Sequence, residues 1–494
     1  MSRKLPIFYS ALMLTGVNLL LRLVGTSFQV YLSGRIGAEG IGLLQLTMSV
    51  GSMAMVAGMA GIRTTTMYLT AEELGKQRPK NVPWVLSGCL VYSVVCSSAV
   101  GLGVAAFAPL IAKNWIGNMQ IVDALRLFSV FLPVSCLSGV MTGYFTGANR
   151  IGTLAAVEVA EQLCSMVCTL VLLQLWAGHD PGRSCQAVIF GGCLGAAMTL
   201  SVLVILRLRD KSPMGEKIPL TRRLTRTAIP LAVADDLRTG ISTVENLMVP
   251  KRLALYPGTT SALADFGIVS GMVFPVLMFP AAILFGLTEL LIPELARSRA
   301  AGSQRRICHL AVKSLRVALL YGGLCGGILF LCAEPLCLAL YANTDAGRYL
   351  KWFSLLAVML YLDAVTDAMI KGLGQQQISV RYNIITNTMD VALLFLLLPK
   401  YGIAGYFFSF FITHLINFVL SLRLLLRITH IRIPFYIPAL TVCAAGLGIF
   451  AAGFATGGIS RAVSYGAIFL CLLFLFGVLN KRDITWLRGL LRKK

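Results

Sequence analysis

Arg22 lies inside an apolar stretch that is long enough to cross a membrane. A charge at the centre of a membrane helix costs about 2.5–3.5 kcal/mol on insertion scales, so such a residue normally faces a polar or watery interior. No acidic residue lies within one turn of Arg22 on the same stretch. The position of this arginine therefore predicts a cavity that handles something anionic.

Polar side chains recur at helical spacing inside several other apolar stretches. The sets are Glu158 with Glu161 and Gln162, Asp235 with Arg238 and Glu245, Asp363 with Asp367, Asn383 with Asn387 and Asp390, and His414 with Asn417. Residues three or four positions apart share one face of a helix. Because carboxylates inside a membrane are costly, such stripes on different helices predict an enclosed hydrophilic cavity.

These polar residues also have structural interpretations. Asp235 and Arg238 could form an internal ion pair that only fastens their helix, and Glu158 could be solvated near the start of its helix. Asp363 and Asp367 could make hydrogen bonds between helices. On the functional interpretation, the substrate-binding candidates are Arg22, Gln29, Glu161, Arg238 and Asn387. The candidates for coupling to H⁺ or Na⁺ are Asp363, Asp367 and Asp390.

The composition indicates a membrane protein built from helices. Of 494 residues, 57% are hydrophobic and 13% are charged, and the mean hydropathy is +0.79. Apolar runs near the roughly 20 residues that span a bilayer recur along the whole chain. We predict an all-α polytopic membrane protein with about fourteen transmembrane helices, and twelve is the main alternative.

The strong positive charge follows the pattern of a membrane topology. The net charge is +22, and the lysines and arginines lie mostly in short loops between hydrophobic runs. With both termini in the cytoplasm, about 31 of these residues lie on the cytoplasmic side and about 9 outside. We therefore predict a multi-pass protein of the cytoplasmic membrane in contact with membrane lipids, with no nucleic-acid partner.

A weak internal repeat predicts two lobes. Gly40-Ile-Gly42 corresponds to Phe266-Gly267, and Tyr144–Gly147 corresponds to Met369–Gly372, both at an offset of about 225 residues. One shared offset predicts two pseudo-symmetric six-helix lobes in the same orientation. The expected division is an N-lobe at 1–206, a basic cytoplasmic linker at 207–225, a C-lobe at 226–430, and two further helices with a basic cytoplasmic tail at 431–494.

Signatures of enzymes, metals and cofactors are missing from the sequence. It contains no GxxxxGK[ST], GxSxG, HExxH or DDxxD motif, and its 13 cysteines include no CxxC pair. A membrane transferase would need acid–base residues clustered at one membrane face, whereas the carboxylates here are spread over at least five predicted helices. We expect no enzymatic activity, no cofactor and no metal.

An ordered set of short motifs resembles a known family. The motifs are Arg22–Gly25, Arg35–Gln45, Gly143–Gly147, Val157–Gln162, Ile229-Pro230, Val249–Leu253, Phe266–Met272, Leu291–Glu294 and Lys371–Gly374. Together they resemble the stage V sporulation protein B group of polysaccharide-type flippases, in the multidrug/oligosaccharidyl-lipid/polysaccharide (MOP) exporter superfamily. The resemblance runs in order from about residue 10 to about residue 430.

The resemblance implies two lobes around a central cleft and alternating access. It further implies that a lipid-linked (undecaprenyl-pyrophosphate) saccharide or a peptidoglycan precursor is carried across the membrane. Arg22 matches the first-helix arginine of the family, and a guanidinium can grip phosphate oxygens with two hydrogen bonds. Where that group often has a second basic residue, this chain has Gln29, which favours an unspecified lipid-linked saccharide over lipid II.

The main alternative is a cation-coupled multidrug (MATE-type) exporter of the same superfamily. Exporters of that type commonly use an acidic residue in the first helix for ion coupling, and the first apolar run here contains none. On either interpretation we expect a monomer.

Overall fold

The chain folds into helices connected by short turns. The computed structural model describes residues 7–177, 180–209, 221–431 and 436–479, and within these ranges it contains seventeen α-helices and no β-strand. The predicted all-α class is therefore confirmed. In chain order the helices are α1 (Ile7–Met59), α2 (Ile62–Gly75), α3 (Val82–Leu110), α4 (Val122–Gly147), α5 (Ile151–Leu172), α6 (Pro181–Arg209), α7 (Thr221–Leu253), α8 (Ala262–Ile268), α9 (Phe274–Met278), α10 (Ala281–Ala300), α11 (Gln304–Tyr341), α12 (Thr344–Phe353), α13 (Ala357–Gly372), α14 (Gln376–Tyr401), α15 (Ile403–Thr429), α16 (Tyr436–Ala452) and α17 (Gly458–Leu475).

The chain forms two compact units. Unit 1 comprises Met1–Gly267 with Val391–Ile403, and unit 2 comprises Ile268–Asp390 with Ala404–Lys494. The lobe boundaries expected from the repeat stay a prediction. Much of the predicted linker, at 210–220, and the basic tail, at 480–494, lie outside the described residues.

Many of the helices are long and apolar enough to cross a bilayer. In the described ranges ten helices meet that condition, and a pair bent by 61°, Ala262–Met278 with Ala281–Thr288, makes up to eleven. The protein is thus a multi-pass membrane protein, as its composition predicts. The count of fourteen stays a prediction.

Three segments account for the difference between these counts. Most of α1 together with α2 counts as a single candidate span, Leu19–Gly75, although Gly37 interrupts α1 with a φ of 71° and a ψ of 177°. Helix α7 carries many charged residues along its 33-residue length, and α16 has only 17 residues. Helix α7 is too polar and α16 too short to meet the condition for a span, and the two parts of α1 are counted as one. Counting these segments separately would raise the number of spans.

In unit 1, α7 packs closely against α2 and α1. Gly61, with a φ of +69°, lies so near α7 that an added Cβ would be 2.6 Å from the carbonyl oxygen of Ala228. Further along α7, Asn246 Nδ2 donates to Ser49 Oγ on α1 at 3.0 Å. Small residues at such crossings allow the backbones to approach, which is the usual basis of helix association in membranes.

In unit 2, buried tyrosines connect neighbouring helices through backbone carbonyls. The Tyr361 hydroxyl donates to Leu277 O at 2.8 Å, and the Tyr465 hydroxyl donates to Gly323 O at 2.8 Å. Gly372 packs against Ile292, where an added Cβ would be 2.9 Å from the carbonyl oxygen. These contacts fix α13 and α17 against their neighbours, so the polar side chains of α13 have defined positions.

Candidate functional site

The first candidate surface lies on α1 in unit 1. Arg22 and Gln29 are both half-buried, and Gly25 lies between them on the same helical face. A Cβ added at Gly25 would be 3.7 Å from Nε2 of Gln162, so the amide of α5 lies against this face. The structure therefore brings together a guanidinium and two amides inside an apolar helix pair.

The acidic residues of α5 have partners in the same unit. Glu161 Oε2 accepts a hydrogen bond from Thr199 Oγ1 of α6 at 2.8 Å. Glu158 is half-buried and interacts electrostatically with Arg63 of α2 and with Glu161. The hydrogen bond directs the Glu161 carboxylate towards α6, whereas the next residue, Gln162, lies against α1.

Arg238 occupies a different setting on α7. Its side chain and that of Asp235 are both exposed, and no ion pair within 4 Å joins them. The internal ion pair weighed from the sequence is absent from these described residues. Arg238 is therefore a cation on an accessible face of α7, and it lies in unit 1 together with Arg22.

Unit 2 contains a polar network that joins α13, α14 and α15. Asn417 Nδ2 lies 3.1 and 3.0 Å from the two carboxylate oxygens of Asp363 and 3.3 Å from Asn383 Oδ1. His414 Nδ1 lies 3.6 Å from Asp363 Oδ2, which is within ion-pair range but too long for a hydrogen bond. The Oδ1 of Asn417 is buried and has no hydrogen-bond partner. An acceptor oxygen in this position can face a cation or a water molecule.

Asp390 forms a second, more deeply buried cluster in the same unit. It is 5% exposed, and its Oδ1 accepts from Ser409 Oγ at 2.6 Å and from Thr413 Oγ1 at 3.2 Å. Two hydroxyl donors from α15 thus compensate for burying the carboxylate of α14. Polar groups in protein interiors are normally buried only when they are hydrogen-bonded, and Asp390 follows this rule.

The remaining candidates have simpler surroundings. Asp367 accepts a hydrogen bond from Ser379 and forms an ion pair with Lys371 at 2.6 Å, one turn further along α13. Asn387 is half-buried on α14, one turn from Asn383. Asp367 is therefore tied to local partners, whereas Asp363 is shared among three helices.

Hydroxyl residues of α15 are part of the site, although the sequence did not single them out. Ser409, Thr413, Asn417 and Ser421 are all buried and follow one another at intervals of four residues. This spacing is a helical polar stripe that the sequence displays. Serine and threonine are weak indicators of a site, because their hydroxyls can bond to the carbonyl four residues earlier and they are therefore common in apolar helices.

A metal site is not apparent in the described part of the chain. Over 7–177, 180–209, 221–431 and 436–479, no group of three or more His, Cys, Asp or Glu residues is placed to hold a metal ion. The oxygen-rich groups around Asp363 would suit a proton, a water molecule or a monovalent cation.

Comparisons with known proteins connect this geometry to a superfamily. No family model matches the chain. The chain is 21% identical to stage V sporulation protein B of Bacillus subtilis (strain 168), over 96% of each chain. It also superposes on lipid II flippase MurJ, in an inward closed conformation, with a TM-score of 0.69, 12% identity, and coverage of 96% of this chain and 100% of that one.

A second solved structure has the same fold. An inward-facing multidrug resistance MATE family transporter of the MOP superfamily gives a TM-score of 0.67 at 14% identity, over 84% of this chain and 98% of that one. These findings confirm the resemblance to the MOP superfamily and to the stage V sporulation protein B group. The two solved structures are a transporter and a flippase, and the expectation that this chain is not an enzyme agrees with them.

Proposed function

We propose that this chain is a flippase that carries a lipid-linked (undecaprenyl-pyrophosphate) saccharide or peptidoglycan precursor across the cytoplasmic membrane by alternating access. The observation that carries the proposal is the half-buried Arg22 on α1, with Gln29 on the same helical face and Gln162 of α5 against that face. The similarity to stage V sporulation protein B over 96% of the chain supports it.

The chemistry of this face suits a pyrophosphate joined to a sugar. The planar guanidinium of Arg22 can donate two parallel hydrogen bonds to phosphate oxygens and stays charged at any physiological pH. The amides of Gln29 and Gln162 can donate to and accept from sugar hydroxyls, and the carboxylate of Glu161 can accept from them. Arg238, exposed on α7, would be a second cationic contact during the transport cycle.

The polar network of unit 2 supports coupling to a cation gradient. Asp363 supplies a carboxylate, Asn383 and Asn417 supply amide oxygens, and His414 supplies an imidazole nitrogen 3.6 Å from that carboxylate. Binding of H⁺ or Na⁺ at Asp363 would change the hydrogen bonds between α13, α14 and α15. Asp367 and Asp390 have their own partners, so we propose Asp363 as the principal coupling residue.

The same network favours a second candidate function, a cation-coupled multidrug exporter. A carboxylate shared among three helices is also what a drug/cation antiporter would use, and the MATE transporter has the same fold. The two functions differ in their substrate. A drug exporter would bind organic cations and would be impeded by Arg22, whereas a flippase of pyrophosphate lipids would need this arginine.

Mass spectrometry of lipids retained by the purified protein tests the proposal. The proteins to compare are the wild type, Arg22→Gln and Arg183→Gln. The control removes an exposed arginine whose ion pair with Asp180 is long, at 3.8 Å. We expect a polyprenyl-pyrophosphate saccharide in the wild type and the control, and much less in Arg22→Gln. Equal retention by all three proteins, or retention of organic cations alone, would contradict the flippase assignment.

A further inference from the structure

An elongated groove lies between α11 and α17 in unit 2, away from the polar network. Its volume is about 410 Å³, and both helices contribute to its lining. Its apolar part is formed by Leu320 and Leu324 of α11 and by Phe469 and Leu470 of α17. Its other end is formed by His309, Lys313 and Arg316. The groove is therefore cationic at one end and apolar along the rest of its length.

The two ends of the groove follow from the sequence of α11. His309, Lys313, Arg316, Leu320 and Leu324 follow one another at intervals of three or four residues, so they lie on one helix face. The charged residues occupy its first half and the leucines its second half. Such a face changes from basic to apolar at one depth, as expected where a helix enters the hydrocarbon region.

The length of the groove matches one leaflet of a bilayer. From Arg316 to Glu334 the helix has no charged residue, and this run rises about 26 Å, close to the roughly 30 Å of a hydrocarbon core. Lys313 and Leu324 are about 16 Å apart along the helix, or half of that thickness. Lys313 and Arg316 are thus expected at headgroup level, and Leu324 near the bilayer midplane.

The cationic end is attached to the end of the α17 segment. Arg316 Nη2 donates a hydrogen bond to the carbonyl oxygen of Val478, and Leu479 also lines the groove. This contact closes the groove beside the charged residues. The ammonium group of Lys313 and the imidazole of His309 line the α11 side of this end.

We infer that this groove binds an anionic glycerophospholipid. Its phosphate would lie beside Lys313 and His309, and one acyl chain would lie between the leucines of α11 and Leu470. Basic pockets between transmembrane helices are typical sites for anionic lipid headgroups. A polyprenyl phosphate would present the same phosphate, but its chain is much longer than the 16 Å between Lys313 and Leu324 estimated from the helical rise. Among the described residues the groove is lined by unit 2 alone, and none of the proposed substrate contacts belongs to this lining.

Native mass spectrometry with defined lipids tests this inference. The delipidated full-length protein is mixed with phosphatidylglycerol or phosphatidylcholine of identical acyl chains. Lys313→Gln weakens the headgroup contact, and Leu470→Trp fills the apolar part of the groove without a change of charge. The control Arg348→Gln removes an exposed arginine of α12 that does not line the groove.

The inference predicts that the wild type and Arg348→Gln retain phosphatidylglycerol in preference to phosphatidylcholine. Lys313→Gln should bind phosphatidylglycerol about fivefold more weakly, as expected for the loss of one interfacial cation. Leu470→Trp should lose the bound lipid while melting at the wild-type temperature. Equal binding of both lipids by the wild type would overturn the inference, even if a variant fails to fold. Displacement of phosphatidylglycerol by equimolar undecaprenyl phosphate would also overturn it, because the occupant would then be a polyprenyl lipid.

Discussion

Asp390 is a carboxylate whose surroundings point to a structural role. It is 5% exposed, and two hydroxyls of α15 donate to it. Asp390→Ala would remove the carboxylate that accepts from Ser409 and Thr413, and a hydrogen bond to a charged group contributes about 1.5–3 kcal/mol. We expect a loss of that size in thermal melts in detergent, while the exposed control Asp123→Ala melts like the wild type. An unchanged melting temperature with altered transport would instead assign Asp390 to ion coupling.

Asp363 is expected to behave differently, because it is shared by α13, α14 and α15. Asp363→Asn keeps the size of the side chain and removes its charge and its proton-binding site. We expect normal expression and melting, but transport that no longer responds to an imposed H⁺ or Na⁺ gradient in proteoliposomes. Asp180→Asn, at the start of α6, is the control. Retained gradient dependence in Asp363→Asn would exclude this residue as the coupling site.

At the scale of single residues, the sequence predicted which polar side chains lie on one helix face better than it predicted their hydrogen-bond partners. The spacing of Asn383 and Asn387, and of His414 and Asn417, identified faces that the structure places together around Asp363. It could not separate Asp363 from Asp367. Both are half-buried carboxylates on one helix, and only the contacts show that Lys371 pairs with Asp367. Partners from distant helices depend on packing, which periodicity does not encode.

At the scale of elements, the contact of α2 with α7 depends on Gly61. An alanine there would adopt a left-handed conformation, which costs about 1–2 kcal/mol. It would also place Cβ 2.6 Å from Ala228 O and 2.9 Å from Ala232 N. Gly117→Ala is the matched control, because Gly117 has a φ of +81° but nothing within 4 Å of an added Cβ. We expect Gly61→Ala to lower the melting temperature more than Gly117→Ala does. Equal losses would show that strain alone matters.

A second connection between the same helices is electrostatic. Arg223 of α7 donates to Glu73 Oε1 at 2.9 Å and to Glu72 Oε2 at 2.8 Å. Glu73 is only 2% exposed, so Arg223→Ala would leave a buried carboxylate that still accepts from Asn81 Nδ2 but has lost its cationic partner. Because Arg223 itself is partly exposed, we expect a loss of about 1–2 kcal/mol.

The control for Arg223→Ala is Lys76→Ala, which removes an exposed partner of Glu72. Exposed ion pairs contribute less than about 1 kcal/mol, so its melting temperature should change little. Melts of both variants in detergent at low and high salt measure the difference. If Arg223→Ala proved no less stable than Lys76→Ala, the ion pairs of Arg223 with Glu72 and Glu73 would contribute nothing to the stability of the fold.

The boundaries of the elements were only partly predictable. Ser33, Gly34 and Arg35 interrupt the first apolar run, and this drop in hydropathy predicts a break between two spans around residues 33–40. In the structure two helices meet across a kink inside this region, at Gly37, which has a φ of 71° and a ψ of 177°. Polar residues lower the hydropathy of a window, but they do not end a helix unless the backbone conformation changes.

At the scale of the whole molecule, composition and the ordered motifs predicted the class and the superfamily. Mean hydropathy is averaged over the whole chain, so a wrong assignment at a single residue does not change the predicted class. The similarity to stage V sporulation protein B likewise extends over 96% of the chain. The identity of the cargo could not be predicted in this way. In the function proposed here it depends on a few side chains around Arg22, and neighbours of the same fold include both a flippase and a drug transporter.

The most direct test of the account is lipid flipping by the purified protein in proteoliposomes. A fluorescent undecaprenyl-pyrophosphate saccharide is placed in one leaflet, and its appearance in the other is followed for the wild type, Arg22→Gln and Arg183→Gln. Charged hydrogen bonds contribute about 1.5–3 kcal/mol, so losing the Arg22 contact should slow flipping at least tenfold. The wild type and Arg183→Gln should flip the lipid at equal rates. The account would be contradicted if Arg22→Gln flipped the lipid at the wild-type rate. It would also be contradicted if the wild type did not flip the lipid under an imposed H⁺ gradient or an imposed Na⁺ gradient.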